Sequence, residues 1–159
     1  MTDVGVLFVC LGNICRSPTA EAVFRQRLAG SPLAARVHLD SAGTAAWHAG
    51  KAPDARAQAA GARRGYDLSA LRARQVNAED FHRFDYVFAM DRDNLARLTE
   101  LKPAGSRATL ALLLDVDAQS AGQEVPDPYH GGDAGFERVL DLLEAASDAL
   151  ATRLEQEFP

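Results

Sequence analysis

The stretch 4–27 constrains the fold more than any other part of this 159-residue chain. An apolar run over 6–9 has the length of a buried strand. It ends at Cys10, crosses a short loop containing Leu11, Gly12, Asn13, Ile14 and Cys15, and reaches a helix start at Ser17-Pro18. Ser17 suits an N-cap, Pro18 suits the first helical position, and Glu21 falls in the first turn. Cys10 is thereby set at the carboxyl end of a strand, facing a helix whose free N–H groups point back toward it. That arrangement binds anions. Gly12 and Asn13 tolerate positive φ, so the loop amides can curl into a nest. Arg16, six positions after Cys10, adds a planar fork that grips two oxygens of a phosphate-like group.

A thiol inside an anion site is a nucleophile beside an oxyanion cradle. The same positive field stabilises a thiolate, but ionisation is the smaller effect. An ordinary cysteine is already a few per cent thiolate at about pH 7, so full ionisation gains only about 1.5 powers of ten. Lower basicity also weakens each thiolate as a nucleophile. Donors aimed at a transferring phosphoryl group matter more, because losing one costs about 10²–10³ in rate. The leaving oxygen then needs a proton. Asp127, between Pro126 and Pro128 in a stiff segment, is the candidate donor, although an ordinary turn aspartate fits that setting equally well. Trp47 and Tyr129 fit the walls of a pocket, while each taken alone reads rather as a core residue.

Other chemistries fit poorly. The nucleoside-triphosphate loop needs a second glycine followed by lysine, and the dinucleotide loop needs three glycines; neither occurs here. Two cysteines without Cys-x-x-C spacing or a nearby histidine make a poor zinc site. Nor do they form a disulfide framework, so a reducing, cytoplasmic setting fits better. A net charge of −5 argues against nucleic acid as a partner, and no apolar run approaches a membrane span. The length and even composition suggest one domain over 1–159.

Along the chain, helices are expected over 18–29, 54–64, 91–101 and 136–156, with a short one after Asn77. Strands are expected over 36–40, 86–90 and 108–114. Alternation of this kind predicts an α/β fold with a parallel sheet and helices on both faces. Ligands then bind beyond the carboxyl ends of the strands. Cys10, Ser41 and Asp91 all fall at such ends. The group Arg56, Arg63, Arg64, Arg72, Arg74 and Arg83 reads as a solvated surface, and none of the four histidines stands as a catalytic base.

Taken in order, Cys10-Leu-Gly-Asn-Ile-Cys15-Arg16-Ser17, Asp40-Ser41-Ala-Gly-Thr, Trp47, Ala73-Arg-Gln-Val76, Met90-Asp91 and Asp127-Pro-Tyr129 resemble the low-molecular-weight protein tyrosine phosphatase family across nearly the whole chain. The resemblance implies a four-stranded parallel sheet with the phosphate loop after strand 1, and a metal-independent enzyme without cofactor. It implies that Cys10 attacks phosphorus, that Arg16 and the loop amides hold the phosphoryl oxygens, and that Ser17 hydrogen-bonds the sulfur. Asp127 would protonate the leaving phenolate and then deprotonate water. Asn13, Ser41 and Asp91 would support the loop; Leu11, Gly12, Asn13, Ile14, Cys15, Ser17, Trp47 and Tyr129 would surround the substrate. A phosphotyrosine protein, such as a bacterial tyrosine kinase, is the implied partner, and phosphate or sulfate the implied small ligand. Cys15 would capture an oxidised Cys10 as a disulfide, although a small residue packed under the loop fits that position equally well. Two departures stand out: Leu71 occupies the place where relatives often carry a histidine behind the loop, and His130 the place of a second tyrosine in animal members. Ile14 favours phosphotyrosine over phosphoarginine, for which a threonine is expected. A phosphopeptide-binding module, needing the cradle but not Asp127, and a redox sensor are the alternatives.

Overall fold

The apolar run that ends at Cys10 forms β1 (Val4–Cys10), with every residue buried. A computed structural model describes residues 3–129 and 131–159 of the chain. Continuous burial follows from a central position: β1 pairs in parallel with β2 (Val37–Gly43) on one side and β3 (Tyr86–Ala89) on the other. Strand β4 (Thr109–Leu112) pairs with β3, giving a four-stranded parallel sheet of order β2-β1-β3-β4. The two-residue period of β1 sends Val4, Val6, Phe8 and Cys10 to one face and Leu7 and Val9 to the other.

Each face receives its own helices. Phe24 and Leu28 of α1 (Arg16–Leu28), with Val139, Leu143, Leu150 and Leu154 of α5 (Asp133–Glu157), cover the first face. Phe81 of α3 (Asp80–Arg83) and Leu98 of α4 (Arg92–Leu101) cover the second. A third apolar cluster joins Val23, Phe136 and Leu140 to Ala57 and Ala60 of α2 (Ala55–Arg63). Full burial of one such large side chain contributes roughly 1.5–3 kcal/mol. No helix among the described residues is long and apolar enough to cross a membrane.

Several expected boundaries move, each for a local reason. Helix α1 begins at Arg16 with Cys15 at its N-cap, and no side chain caps it; Ser17 is inside the helix because its hydroxyl bonds to Cys10 instead. Strand β2 extends to Gly43 because all seven of its residues pair with β1. The apolar run over 108–114 is a strand only to Leu112, after which Leu113–Val116 forms a 3₁₀ turn that still buries Leu113 and Leu114. Asn77 does not cap α3; its amide donates to the Asp80 carboxylate.

The order of strands reverses between β1 and β3, and a crevice forms beyond their carboxyl ends. Cys10 stands at the end of β1. Asp91, shortly after the end of β3, caps α4 by accepting from the Asn94 amide at 2.8 Å.

Candidate active site

The loop after β1 wraps around the Cys10 sulfur. Sγ accepts from the Asn13 amide at 3.3 Å and lies 3.0 Å from the Ser17 hydroxyl. Asn13 is the one non-glycine residue among those described with positive φ, at 57°, a region that asparagine visits more readily than most residues. Its side chain locks the turn: Nδ2 donates to Ser17 Oγ at 2.8 Å and to Ser41 Oγ at 3.0 Å, while Oδ1 accepts from the Arg74 amide at 3.0 Å. Gly12 does not have positive φ, and a Cβ there would come 2.9 Å from Cδ2 of the partly exposed His48 ring, which would have to move aside. Gly43, at the end of β2, is tighter still: a Cβ would lie 2.7 Å from the Leu11 carbonyl oxygen and 3.1 Å from the Asn13 nitrogen.

The network continues behind the loop to Glu21, which the residue pattern alone did not single out. Ser41 Oγ donates to Glu21 Oε1 at 2.9 Å, and Arg25 holds Oε2 at 2.7 Å. Burial raises the Glu21 pKa; the Ser41 hydrogen bond and Arg25 oppose that rise without cancelling it. Leu71, in the place where a histidine was expected to lend support, packs instead against the apolar cluster of α1 and α2. The carboxylate of Glu21 ends the chain of hydrogen bonds in this protein.

Arg16 is 3% exposed and faces three oxygens. Nη1 donates to Asp91 Oδ2 at 2.6 Å and to the Val125 carbonyl at 3.1 Å, and Nη2 lies 3.7 Å from Asp127 Oδ2. Burial by itself lowers the Arg16 pKa, but the Cys10 sulfur, Asp91 and Asp127 outweigh it and the net shift is upward. The guanidinium therefore stays charged, aimed between the thiol and the carboxylate. Asp127 is 43% exposed at its side chain, and its Oδ1 accepts from the Tyr129 amide at 3.0 Å. Cys15 is buried beside these groups. Burial first, then Asp54, Cys10 and Asp127, push its thiol up to about 12.

These groups surround a cavity of about 150 Å³, lined by Cys10, Leu11, Gly12, Ile14, Cys15, Arg16, Trp47, His48, Asp127 and Tyr129. A larger groove of about 240 Å³ at Thr44, Gln75, Arg97 and Leu101 has no cysteine on its lining. Trp47 is 70% exposed and Tyr129 38%, so both stand as walls of the cavity and not as core residues. Asn13 and Ser17, expected around the substrate, sit behind the cavity and not on its lining. Among the described residues no group of three or more His, Cys, Asp or Glu is placed to hold a metal ion.

The model of the low molecular weight phosphotyrosine protein phosphatases matches residues 5–159. The chain belongs to that family. It is 45% identical over 155 residues to the low molecular weight protein-tyrosine-phosphatase of Streptomyces coelicolor, covering 96% of this chain and 94% of that one. It is 47% identical over 135 residues to the Schizosaccharomyces pombe low molecular weight phosphotyrosine protein phosphatase, covering 84% and 86% of the two chains. Its fold superposes with a TM-score of 0.92 on the Entamoeba histolytica protein tyrosine phosphatase crystallised with Hepes in the active site, at 42% identity, covering 98% and 99% of the two chains.

Within this family frame the sequence-predicted residues cluster as a set: Cys10, Arg16 and Asp127 meet at one cavity, and Asn13, Ser17 and Ser41 meet behind it. His48 was missed; it stands at the rim, its ring 6.4 Å from that of Tyr129. His130 lies outside the described residues. The arginine group is not one solvated surface. Arg74 pairs with Asp40 and with the fully buried Asp80, and Arg64 joins α2 to Glu137, Asp141 and Glu144 of α5. Arg56 reaches the Tyr129 segment beside the cavity.

Proposed function

We propose that this phosphatase hydrolyses phosphotyrosine in proteins, and aryl phosphates generally, through a cysteinyl-phosphate. Cys10 Sγ attacks phosphorus while the aryl C–O–P link lies between Trp47 and Tyr129. The ester oxygen leaves as a phenol, taking its proton from Asp127. Water then attacks the Cys10 phosphoryl group, gives its proton to the Asp127 carboxylate, and releases inorganic phosphate with the thiolate restored. Arg16 and the loop amides hold the three non-bridging oxygens. Their charge does the neutralising that a metal does elsewhere, so none is required.

The observation that carries this reading is the pair of hydrogen bonds at the sulfur. Asn13 Nδ2 donates to Ser17 Oγ, which leaves the single Ser17 proton free for an acceptor. That acceptor is either Cys10 Sγ at 3.0 Å or the Ala42 carbonyl at 3.3 Å. Charge on the sulfur draws the proton to Sγ and eases departure of the phosphorylated sulfur in the second step. The narrow aromatic cavity with Ile14 on its lining suits a phenyl ring. Hepes in the active site of the Entamoeba histolytica relative is consistent with a cradle for tetrahedral anions such as phosphate or sulfate, since Hepes carries a sulfonate. A bacterial tyrosine kinase or its targets, met in the cytoplasm, is the substrate class we favour.

The test is release of phosphate from a phosphotyrosine peptide in excess EDTA, for the wild type and for Cys10→Ser. Turnover in the wild type and none in Cys10→Ser is expected. Tight peptide binding without phosphate release by the wild type would favour a binding module and overturn the proposal.

A further inference from the structure

Arg56 is the second residue of α2, and its side chain, although 40% exposed, is held on every side by neighbours. The guanidinium lies between two rings, 4.9 Å from the centroid of Phe136 and 5.5 Å from that of Tyr129. One edge is fixed by Asp54, whose carboxylate accepts from Nε at 3.1 Å and Nη2 at 3.0 Å. The other edge reaches into the acid segment: Nη2 donates to the Tyr129 carbonyl at 2.8 Å and Nη1 to the Gly131 carbonyl at 3.4 Å. Asp54 in turn gives its amide to the Ile14 carbonyl of the phosphate loop at 2.8 Å. A continuous line of polar contacts therefore joins the phosphate loop to the segment carrying Asp127.

That segment is also held on its upstream side. The Val125 amide donates to the Met90 carbonyl at 2.8 Å, and its carbonyl accepts from Arg16. Downstream of Asp127, the Tyr129 amide orients Oδ1 of Asp127, and the Tyr129 carbonyl is the atom that Arg56 holds. We infer that Arg56 is a positioning residue for Asp127: by fixing the Tyr129 peptide and ring it sets the angle at which the carboxyl group meets the leaving oxygen. This rests on Asp127 being the general acid, as proposed above. An ion pair as open to solvent as Asp54–Arg56 adds little to stability. The larger consequence of losing it is a loosened acid, because a misplacement of about 1 Å at a reacting group costs on the order of 10² in rate.

The experiment measures kcat/KM for aryl phosphates with leaving phenols from acidic to basic, in the wild type, Arg56→Ala, Asp127→Asn and the double variant. A 2,4-dinitrophenolate departs without a proton, whereas phenolate needs one. Arg56→Ala is expected to lower kcat/KM about 10- to 100-fold on phenyl phosphate, and only a few-fold on the dinitrophenyl ester. Added to Asp127→Asn, it should cause no further steepening with leaving-group basicity. Arg56→Lys, which keeps the charge but not a plane that fits between two rings, should show the same selective loss in smaller measure, and serves if the alanine variant does not fold. Equal losses across all leaving groups would mean that Arg56 only supports the fold, and the inference would fail while the acid role of Asp127 survived. If Asp127→Asn itself leaves the leaving-group dependence unchanged, the acid assignment fails and takes the Arg56 inference with it.

Discussion

Asn13 is the residue whose removal separates the shape of the loop from its chemistry. Its side chain makes three hydrogen bonds within the interior, to Ser17, Ser41 and the Arg74 amide. At roughly 1 kcal/mol each, these amount to about 3 kcal/mol. Its backbone sits at φ 57°, where an alanine costs about 1 kcal/mol more. Asn13→Ala should therefore lose about 4 kcal/mol, a large part of a typical domain's stability of roughly 5–15 kcal/mol. Asn13→Gly keeps the backbone at ease and loses only the side-chain bonds. Urea unfolding of both variants, read at unchanged m-value, separates the two contributions. Activity on an aryl phosphate should fall steeply in both, because the amide that faces the Cys10 sulfur at 3.3 Å is then no longer held. If Asn13→Gly kept wild-type stability within about 0.5 kcal/mol and wild-type kcat/KM, the side-chain network would have no part in shaping the loop.

Gly43→Ala places a methyl group 2.7 Å from one backbone oxygen and 3.1 Å from the Asn13 nitrogen. The loop must then shift, and kcat/KM should drop by on the order of 10²; a wild-type rate would show that the loop yields freely. Cys15, held as a neutral thiol by burial that pushes it up to about 12, should escape iodoacetamide at mildly alkaline pH in native protein, as peptide mapping of the alkylated chain would reveal. The linkage has a definite sign. With the folded pKa above the ordinary 9.0, the neutral thiol favours the fold below pH 9, and that contribution is lost as pH climbs from 9.0 toward about 12. Cys15→Ala should flatten alkaline destabilisation in that window, and an identical pH slope in both proteins would contradict it.

What could be read in the sequence was local. The first strand, its loop and the helix after it are contiguous, so Cys10 and Arg16 could be placed from spacing alone, and the apolar run before Asp91 did the same for that capping residue. Apolar and amphipathic periodicity then showed strands alternating with helices, whereas the lateral order β2-β1-β3-β4 depends on contacts between distant segments. What escaped depends on contacts between distant residues. Ser17 looked like a helix cap by residue pattern, and only the family resemblance pointed to its contact with the sulfur seven residues back. Glu21 looked like an acid of the first helical turn. Its partner Ser41 lies 20 residues on. One signal was available: Glu21 shares a helical stripe with Ser17, Phe24 and Leu28, all buried, and a carboxylate on such a stripe needs a partner. Trp47 and Tyr129 read as core by residue type, whereas an apolar cavity open to solvent is a property of the assembled surface. Arg56 and Arg74 read as surface charge for the same reason, since the decisive partners come from other segments of the chain.

The central claim is that a phosphoryl group passes through the sulfur of residue 10. Rapid mixing with a ³²P-labelled aryl phosphate, acid quenching within one turnover and peptide mapping tests it directly. The account predicts label on the peptide carrying Cys10 and none on Cys10→Ser. Phosphate released at the wild-type rate with no label ever found on that peptide would contradict it.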